Sequence, residues 1–239
     1  MADIAANLAV VRGRISAAAE RAQRAPDSVR LIAVSKTFDA STVRAAAAAG
    51  QRDFGENRVQ EALDKAAALS DLAIEWHLIG HLQSNKARRA ATSFAWIHSI
   101  DSVDLLGKVD AAAHAAGVRP RVLIQVDLAH EATKSGADEA TLPVLVTAAL
   151  NARAAVLAGL MIVPPIAAQP EDARPWFRRL RETRDNLVAG GCPADRLREL
   201  SMGMSHDFEV AIEEGATLVR IGTAIFGGRT PYGAAVAPS

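Results

Sequence analysis

The feature that most constrains this chain is a regular alternation of short β-branched runs with longer, alanine-rich runs of helical spacing. Eight β-rich runs occur, and helical runs lie between them. Alternating strands and helices predict a parallel sheet. Eight such units in 239 residues predict a closed (β/α)8 TIM barrel, which typically takes about 250 residues; an open, Rossmann-like sheet is the alternative. The predicted strands are Val29–Ser35, Asp53–Gly55, Glu75–Ile79, Trp96–Ile100, Arg121–Val126, Ala155–Ile162, Glu199–Met202 and Leu218–Ile221.

Turn and cap residues place the helices between these strands. Asp39 is the expected N-cap of a helix that ends at Gly50, and Asn57 is the expected cap of the next helix. No linker rich in Pro, Gly or Ser interrupts the pattern, so residues 1–239 are predicted to form a single domain. The remaining predicted helices are Ile4–Arg24, Lys86–Ala91, Val103–Ala116, Glu139–Asn151, Trp176–Val188 and His206–Glu214.

The charge balance and the cysteine count exclude several classes of protein. Lys and Arg total 27, as do Asp and Glu, so the net charge is +0, whereas nucleic acid and anionic membranes favour a basic protein. No secretory signal or uncharged apolar stretch of about 18 residues is visible. Cys192 is the only cysteine, which excludes an internal disulfide and a multi-cysteine zinc site. We expect a soluble, cytoplasmic protein with no metal site.

In a barrel of this kind the chemistry lies at the carboxyl ends of the strands. Lys36 directly follows the first predicted strand and would sit at the barrel mouth. Partial burial there would lower the pKa of its amine and favour a Schiff base. The alternative is a lysine that extends from the strand end into solvent.

The loops after the seventh and eighth strands predict a phosphate site. They read Ser201-Met202-Gly203-Met204-Ser205 and Gly222-Thr223. Glycines allow backbone N–H groups to approach an anion, and hydroxyls add donors. Ser205 and Thr223 could instead be plain helix caps.

Arg220 lies between Val219 and Ile221 in the last predicted strand. Side chains alternate between the two faces of a strand. If Val219 and Ile221 pack outward on the helices, Arg220 therefore points into the barrel mouth. A buried arginine needs an acceptor, which could be a cofactor ring nitrogen or a carboxylate.

The residues at the strand ends resemble those of the pyridoxal phosphate homeostasis proteins (YggS/PROSC type), which are related to the N-terminal barrel of alanine racemase. The resemblance runs from the first strand to the last. Its matching segments are Leu31–Thr37, Phe54–Glu61, Trp76–Lys86, Ile97–Ser102, Gly159–Met161, Leu200–Ser205 and Val219–Gly227. The chain departs from many relatives in the segment Asp127–Gly136, which is not Asn-rich here.

The resemblance implies that pyridoxal 5'-phosphate (PLP) is held on Lys36 as an internal aldimine. Arg220 would then face the pyridine nitrogen, and Met202 would lie against the ring. An arginine partner keeps that nitrogen unprotonated and weakens the ring as an electron sink. The phosphate ligands are expected to be Ser201, Gly222 and Thr223, with Gly203 and Ser205 in the same loop; Asn57 and Met161 complete the expected pocket.

These residues favour a protein that binds, buffers and delivers PLP over an enzyme. A two-base racemase needs a second acid/base opposite the lysine; in alanine racemase this is a tyrosine supplied with help from a second domain. The only tyrosine here is Tyr232, near the end of the chain. The alternatives are a PLP-dependent amino-acid racemase of low activity using His81 or a water, and a phosphosugar-binding barrel with an aldolase-type Lys36. We expect PLP-dependent apoenzymes to be the recipients, and we expect a monomer or weak dimer.

Overall fold

The computed structural model describes residues 3–129 and 135–228, and its eight parallel strands form a closed barrel in the order β1 to β8. The predicted TIM barrel is therefore confirmed, and the open sheet is excluded. Each predicted strand is present, with bounds that differ from the prediction by at most one residue at either end. The strands are β1 (Arg30–Val34), β2 (Asp53–Glu56), β3 (Glu75–Leu78), β4 (Trp96–Ile100), β5 (Arg121–Gln125), β6 (Val156–Met161), β7 (Glu199–Ser201) and β8 (Leu218–Ile221).

The helices surround the barrel and follow the predicted order. Asp39 caps α2 as expected, since its side chain accepts from the backbone N–H of Thr42 at 2.8 Å. In the described ranges, no helix is both long and apolar enough to cross a membrane. The helices are α1 (Ile4–Arg21), α2 (Ala40–Ala48), α3 (Val59–Ala68), α4 (Ala87–Ser93), α5 (Val103–Ala116), α6 (Leu142–Leu150), α7 (Arg174–Ala189), α8 (Phe208–Glu213) and α9 (Thr223–Phe226).

Three capping assignments differ from the prediction. The residue before α3 is Arg58 rather than Asn57, and it makes no side-chain cap bond. Asn57 instead belongs to the loop at the end of β2, and its backbone packs closely on Gly80. A Cβ added at Gly80 would lie 2.4 Å from the Asn57 carbonyl oxygen. Asp207 and Gly222 are the residues before α8 and α9, so neither Ser205 nor Thr223 occupies an N-cap position.

Two apolar layers hold the barrel together. The outer layer lies between the strands and the helices, and it includes Val219 and Ile221. Burying each such side chain contributes about 1.5–3 kcal/mol. The inner layer fills the barrel with the side chains of Ile32, Trp96, Leu123, Ala158, Met161 and Leu218.

The ends of the described chain meet where the barrel closes. Ile32 on β1 is in register with Arg220 on β8. The helix α1 packs against α8 and α9, and the Asn7 side-chain amide donates to the Ile225 carbonyl at 2.9 Å. Residues from the first and last strands are therefore neighbours at the barrel mouth.

Candidate functional site

Lys36 lies just beyond the end of β1, partly buried. Lys36 lies in the turn that follows β1, at the carboxyl end of the barrel, and Ile32 faces the barrel interior. Ser35 points the other way, because its hydroxyl donates to Glu56 at 2.6 Å. Thr37 follows with a φ of 70°, a left-handed conformation that is rare for a β-branched residue and is typical of functional turns.

Arg220 points into the barrel, as the alternation predicts. Its guanidinium donates to the Ser201 hydroxyl at 2.6 Å and to the Ile162 carbonyl at 2.8 Å. Burial lowers its pKa to about 10, although the nearby Asp207 favours the charged form, so it stays protonated at neutral pH. The direct acceptors are thus a hydroxyl and a carbonyl rather than the carboxylate considered from the sequence.

The loops after β7 and β8 are joined to each other. The Ser205 hydroxyl accepts from the backbone N–H of Gly222 at 3.3 Å and of Ala224 at 3.4 Å. Gly203 has a φ of +91°, and a Cβ there would lie 2.9 Å from the Phe208 Cα. Only a glycine fits this loop without strain. Thr223 is exposed beside Gly222, so the structure brings these predicted phosphate-binding residues together.

The two methionines of the predicted pocket lie in different layers. Met161 belongs to the inner layer. Met202 belongs to the outer layer, since it follows Ser201 and therefore has the opposite orientation. The structure does not bring the Met202 side chain to the barrel interior, where contact with a ring was expected.

Two histidines inside the barrel are functional candidates that the sequence reasoning missed. His77 on β3 and His98 on β4 are buried, and their rings approach to 3.1 Å between Nδ1 of His77 and Nε2 of His98. The Nδ1 of His98 lies 2.9 Å from the Ser201 hydroxyl, so both connect to the partner of Arg220. The alternation that places Arg220 inward also places these histidines inward, and this signal could have found them.

A buried ion pair between Glu56 at the end of β2 and Lys65 on α3 is a second feature that the sequence did not predict. Lys65 donates to Glu56 at 2.6 Å and to the Ser35 carbonyl at 2.8 Å. Burial raises the pKa of Glu56, although the hydrogen bonds from Lys65 and Ser35 oppose the rise. Because Ser35 directly precedes Lys36, this pair fixes the backbone that carries the candidate lysine.

The described residues contain one arrangement that resembles a metal site, formed by Asp53, Glu75 and His77. Arg30 already donates to both carboxylates, at 3.2 and 3.3 Å. A cation bound there would face this guanidinium, so the group does not support metal binding. His81, considered as an alternative base, is exposed, with its ring 3.6 Å from Asp101.

Some predicted features fall elsewhere. Tyr232 and residues 130–134 of the Asp127–Gly136 segment lie outside the described residues.

A cavity of about 350 Å³ lies at the amino ends of the strands, opposite the mouth. It contains none of the candidate residues, and in this fold catalytic and binding sites lie at the carboxyl ends. The lining arginines of this cavity are Arg119, Arg121, Arg196 and Arg198.

The fold and the strand-end residues define a class of barrel that is found in the alanine racemases. The chain matches the family model of the alanine racemase N-terminal domain over residues 6–230. It is 48% identical over 235 residues to the pyridoxal phosphate homeostasis protein of Pseudomonas aeruginosa PAO1, covering 98% of this chain and 99% of that protein. The chain belongs to the pyridoxal phosphate homeostasis protein family.

Two further relatives align with this chain over almost their whole lengths. The pyridoxal phosphate homeostasis protein of Aquifex aeolicus VF5 is 45% identical over 222 residues, covering 93% of this chain and 96% of that protein. The solved structure of PipY from Synechococcus elongatus PCC7942, with PLP bound, is 42% identical. It superposes with a TM-score of 0.83 and covers 94% of this chain and all of that one.

Proposed function

We propose that this protein, as a single domain spanning residues 1–239, binds PLP through a Schiff base on Lys36. It buffers the cofactor and delivers it to other proteins, without strong catalytic activity of its own. The proposal is supported by the family, whose members carry the name of homeostasis proteins, and by the PLP-bound structure of a relative.

The inward orientation of Arg220 is the observation that carries the proposal. A guanidinium has five N–H donors, and two bonds of Arg220 go to Ser201 and Ile162. The remaining donors suit an acceptor such as a pyridine nitrogen. Lys36 follows the strand that pairs with that of Arg220, so amine and guanidinium approach one small ligand from neighbouring strands.

The loops after β7 and β8 fit a phosphate group. A Cβ at Gly222 would lie 3.1 Å from the Val34 carbonyl oxygen, so the absent side chain leaves the backbone close to the end of β1. The long bonds from Gly222 and Ala224 to Ser205 are weak enough to exchange for bonds to a phosphate oxygen. We assign the phosphate to Ser201, Gly203, Ser205, Gly222 and Thr223, and the remaining pocket to Asn57 and Met161.

The arginine also accounts for weak catalysis. Bound PLP supplies an electron sink for amino-acid chemistry, and the strength of that sink depends on protonation of its ring nitrogen. Burial lowers the pKa of Arg220 only to about 10, so at neutral pH the guanidinium keeps its protons and donates a hydrogen bond. It therefore holds the nitrogen in its unprotonated form, which disfavours transamination.

The partners and location of the protein complete the proposal. PLP-dependent apoenzymes are its recipients, nucleic acid and membranes are not partners, and the chain is a monomer or weak dimer. A cytoplasmic location agrees with its single cysteine, Cys192, because disulfides are rare in that compartment.

Borohydride reduction of the PLP-saturated protein, followed by peptide mass analysis, tests the central assignment. We expect a phosphopyridoxyl group on Lys36 and none in the Lys36→Arg variant. Lys65 is the internal control, because its amine is already bound to Glu56 and should stay unmodified. An unmodified Lys36 in saturated protein would overturn the proposal.

Amino-acid interconversion separates the homeostasis function from the racemase alternative. When the PLP-loaded protein is incubated with L- or D-alanine, we expect both enantiomers to stay essentially unchanged. An ordinary enzyme would convert them at about 1–1000 s⁻¹. Racemisation at such rates would contradict the homeostasis function while leaving the Lys36 assignment intact.

A further inference from the structure

A continuous chain of hydrogen bonds crosses the barrel interior from its amino end to its mouth. It begins at Asp53, the first residue of β2, and ends at Arg220. The successive distances are 3.0 Å from Asp53 Oδ1 to His77 Nε2, 3.1 Å from His77 Nδ1 to His98 Nε2, 2.9 Å from His98 Nδ1 to Ser201 Oγ and 2.6 Å from Ser201 Oγ to Arg220 Nη1.

The two ends of the chain fix the position of every proton between them. An ionised carboxylate only accepts, so His77 donates to Asp53 from Nε2 and, when neutral, accepts at Nδ1. His98 must then donate from Nε2 and accept at Nδ1. The hydroxyl of Ser201 supplies that proton, and it accepts from Arg220, whose guanidinium can only donate.

Burial supports neutral histidines in this arrangement. It lowers the pKa of His77, although Asp53 opposes the shift, and it lowers that of His98 further, with the help of the nearby charge of Arg220. The pKa of Asp53 lies below its ordinary value, because the bond from His77 and the charge of Arg30 outweigh its burial.

This arrangement conflicts with the phosphate role proposed for Ser201. Phosphate oxygens accept hydrogen bonds, and the single hydroxyl proton of Ser201 is already donated to His98. If the hydroxyl simply rotated toward the phosphate, Nδ1 of His98 would be left buried without a donor, which is costly.

We propose that binding a phosphate group at Ser201 reverses the chain and takes up one proton; this inference rests on the proposed function. The hydroxyl proton of Ser201 passes to His98 Nδ1, and the Nε2 proton of His98 passes to His77 Nδ1. Ser201 regains one proton from solvent at the mouth and donates it to the phosphate. His77 then carries protons on both nitrogens, and one positive charge is gained for each phosphate bound.

The surroundings of His77 suit this charge. Asp53 accepts from the ring, and Glu75 on the same strand adds a favourable negative charge, whereas Arg30 on β1 opposes it. Trp96 on β4 stacks on the ring at 5.5 Å between centroids with a 9° interplanar angle. The other charged group in this series of hydrogen bonds is Arg220, at the end opposite Asp53. His77 and His98 are thus positioning residues, which couple the phosphate to a proton held deep in the barrel.

Calorimetric titration in two buffers of different ionisation enthalpy measures the protons taken up per ligand bound. At pH 7.5 the phosphate of PLP is mostly a dianion, since its second pKa is about 6. Pyridoxal, which reacts with Lys36 but lacks the phosphate, is the matched ligand. We expect PLP to take up more protons than pyridoxal, by up to one per site. Equal uptake would overturn the proposal.

Asp53→Asn tests whether the proton enters this chain. The side-chain amide of an asparagine can donate to His77 Nε2, which allows the reversed chain to form with both histidines neutral. We therefore expect the extra proton uptake per PLP bound to disappear. Glu75→Gln is the matched control, because Glu75 also pairs with Arg30 but makes no hydrogen bond to His77, and it should keep the uptake. Uptake that persists in Asp53→Asn would assign the proton to the phosphate itself and overturn the proposal.

Nitrogen NMR of imidazole-labelled histidine gives a second readout that needs no variant to fold. The proton on His98 should move from Nε2 to Nδ1 when PLP binds and should stay on Nε2 with pyridoxal. An unchanged His98 signal in PLP-loaded protein would overturn the proposal. Borohydride adducts measured in the same samples distinguish failure of the proposed function from failure of the proposed proton transfer. Loss of the Lys36 adduct counts against the proposed function. An adduct without the proton shift at His98 counts only against the proton transfer.

Discussion

The amine of Lys65 lies 2.6 Å from Oε1 of Glu56, and the carboxylate is fully buried while the lysine side chain is 10% exposed. Removing one partner of a buried ion pair leaves an uncompensated charge. The pair also holds the Ser35 backbone beside Lys36, so it links the stability of the barrel to the shape of the candidate site.

We expect Lys65→Met to lower the free energy of unfolding by about 3–5 kcal/mol, because it leaves the Glu56 carboxylate buried and unpaired. The double variant Lys65→Met with Glu56→Gln should recover part of this loss. Urea denaturation measures both. Lys108→Met is the control, since its pair with Asp104 is exposed and should contribute at most about 0.5 kcal/mol. A loss in Lys65→Met no larger than in the control would show that the buried charge is tolerated.

Asp110 ties α5 to the start of β6, and this contact predicts a dependence on pH. Its carboxylate accepts from the backbone N–H groups of Ala154 at 2.7 Å, Ala155 at 2.9 Å and Arg153 at 3.1 Å. Partial burial opposes ionisation, but these bonds outweigh it and hold the pKa of Asp110 below its usual value. The stabilisation is therefore complete above the unfolded pKa of about 3.9 and is lost as pH falls through the lower folded value.

Asp110→Asn should accordingly cost about 1–2 kcal/mol at pH 7. Its deficit relative to the unsubstituted protein should shrink as pH falls below about 4. Urea denaturation at pH 7 and pH 3 compares the two, with Asp104→Asn on the exposed side of the same helix as the control. A deficit that stays constant across this pH range would refute the role given to the charged form.

At Gly159 the backbones of β6 and β7 approach each other closely. A Cβ at this position would lie 1.8 Å from the Glu199 carbonyl oxygen. Because both atoms belong to paired strands, Gly159→Ala should destabilise the barrel by more than about 4 kcal/mol or prevent folding. Gly107→Ala, in α5 with open space around it, should instead stabilise the protein by up to about 1 kcal/mol. Thermal unfolding distinguishes them, and similar melting temperatures would show that the strands can separate at this point.

Thr223→Ala should weaken retention of PLP more than formation of the Schiff base on Lys36. Loss of one hydrogen bond to a charged group costs about 1.5–3 kcal/mol, which corresponds to at least a tenfold faster loss of cofactor on dialysis. Thr183→Ala is the control, because that hydroxyl bonds only within α7, to the Arg179 carbonyl. Unchanged retention would remove Thr223 from the phosphate site.

The sequence was sufficient to predict the barrel because its strands and helices have distinct periods along the chain. The bounds of β4, β8 and α5 agree with the prediction at both ends. The inward orientation of Arg220 also followed from the alternation, since Val219 and Ile221 pack outward.

The interior polar contacts could not be predicted in the same way. The pairing of His77 with His98 depends on how β3 and β4 align, and that alignment is not encoded locally in either strand. The Asn57 cap was wrong because the chain remains extended through Glu56 and packs on Gly80 before the helix begins. The orientation of Met202 was missed because its role came from the resemblance rather than from the alternation.

The closure of the barrel between β1 and β8 also constrains when the protein can acquire its cofactor. Lys36 is made early during synthesis, whereas Arg220 and Gly222 emerge only after nearly all of the described residues have been translated. Under the function proposed above, a nascent or truncated chain has Lys36 but lacks the groups that would retain PLP. Stable loading would then require the complete, closed barrel, and incomplete chains should not retain the cofactor.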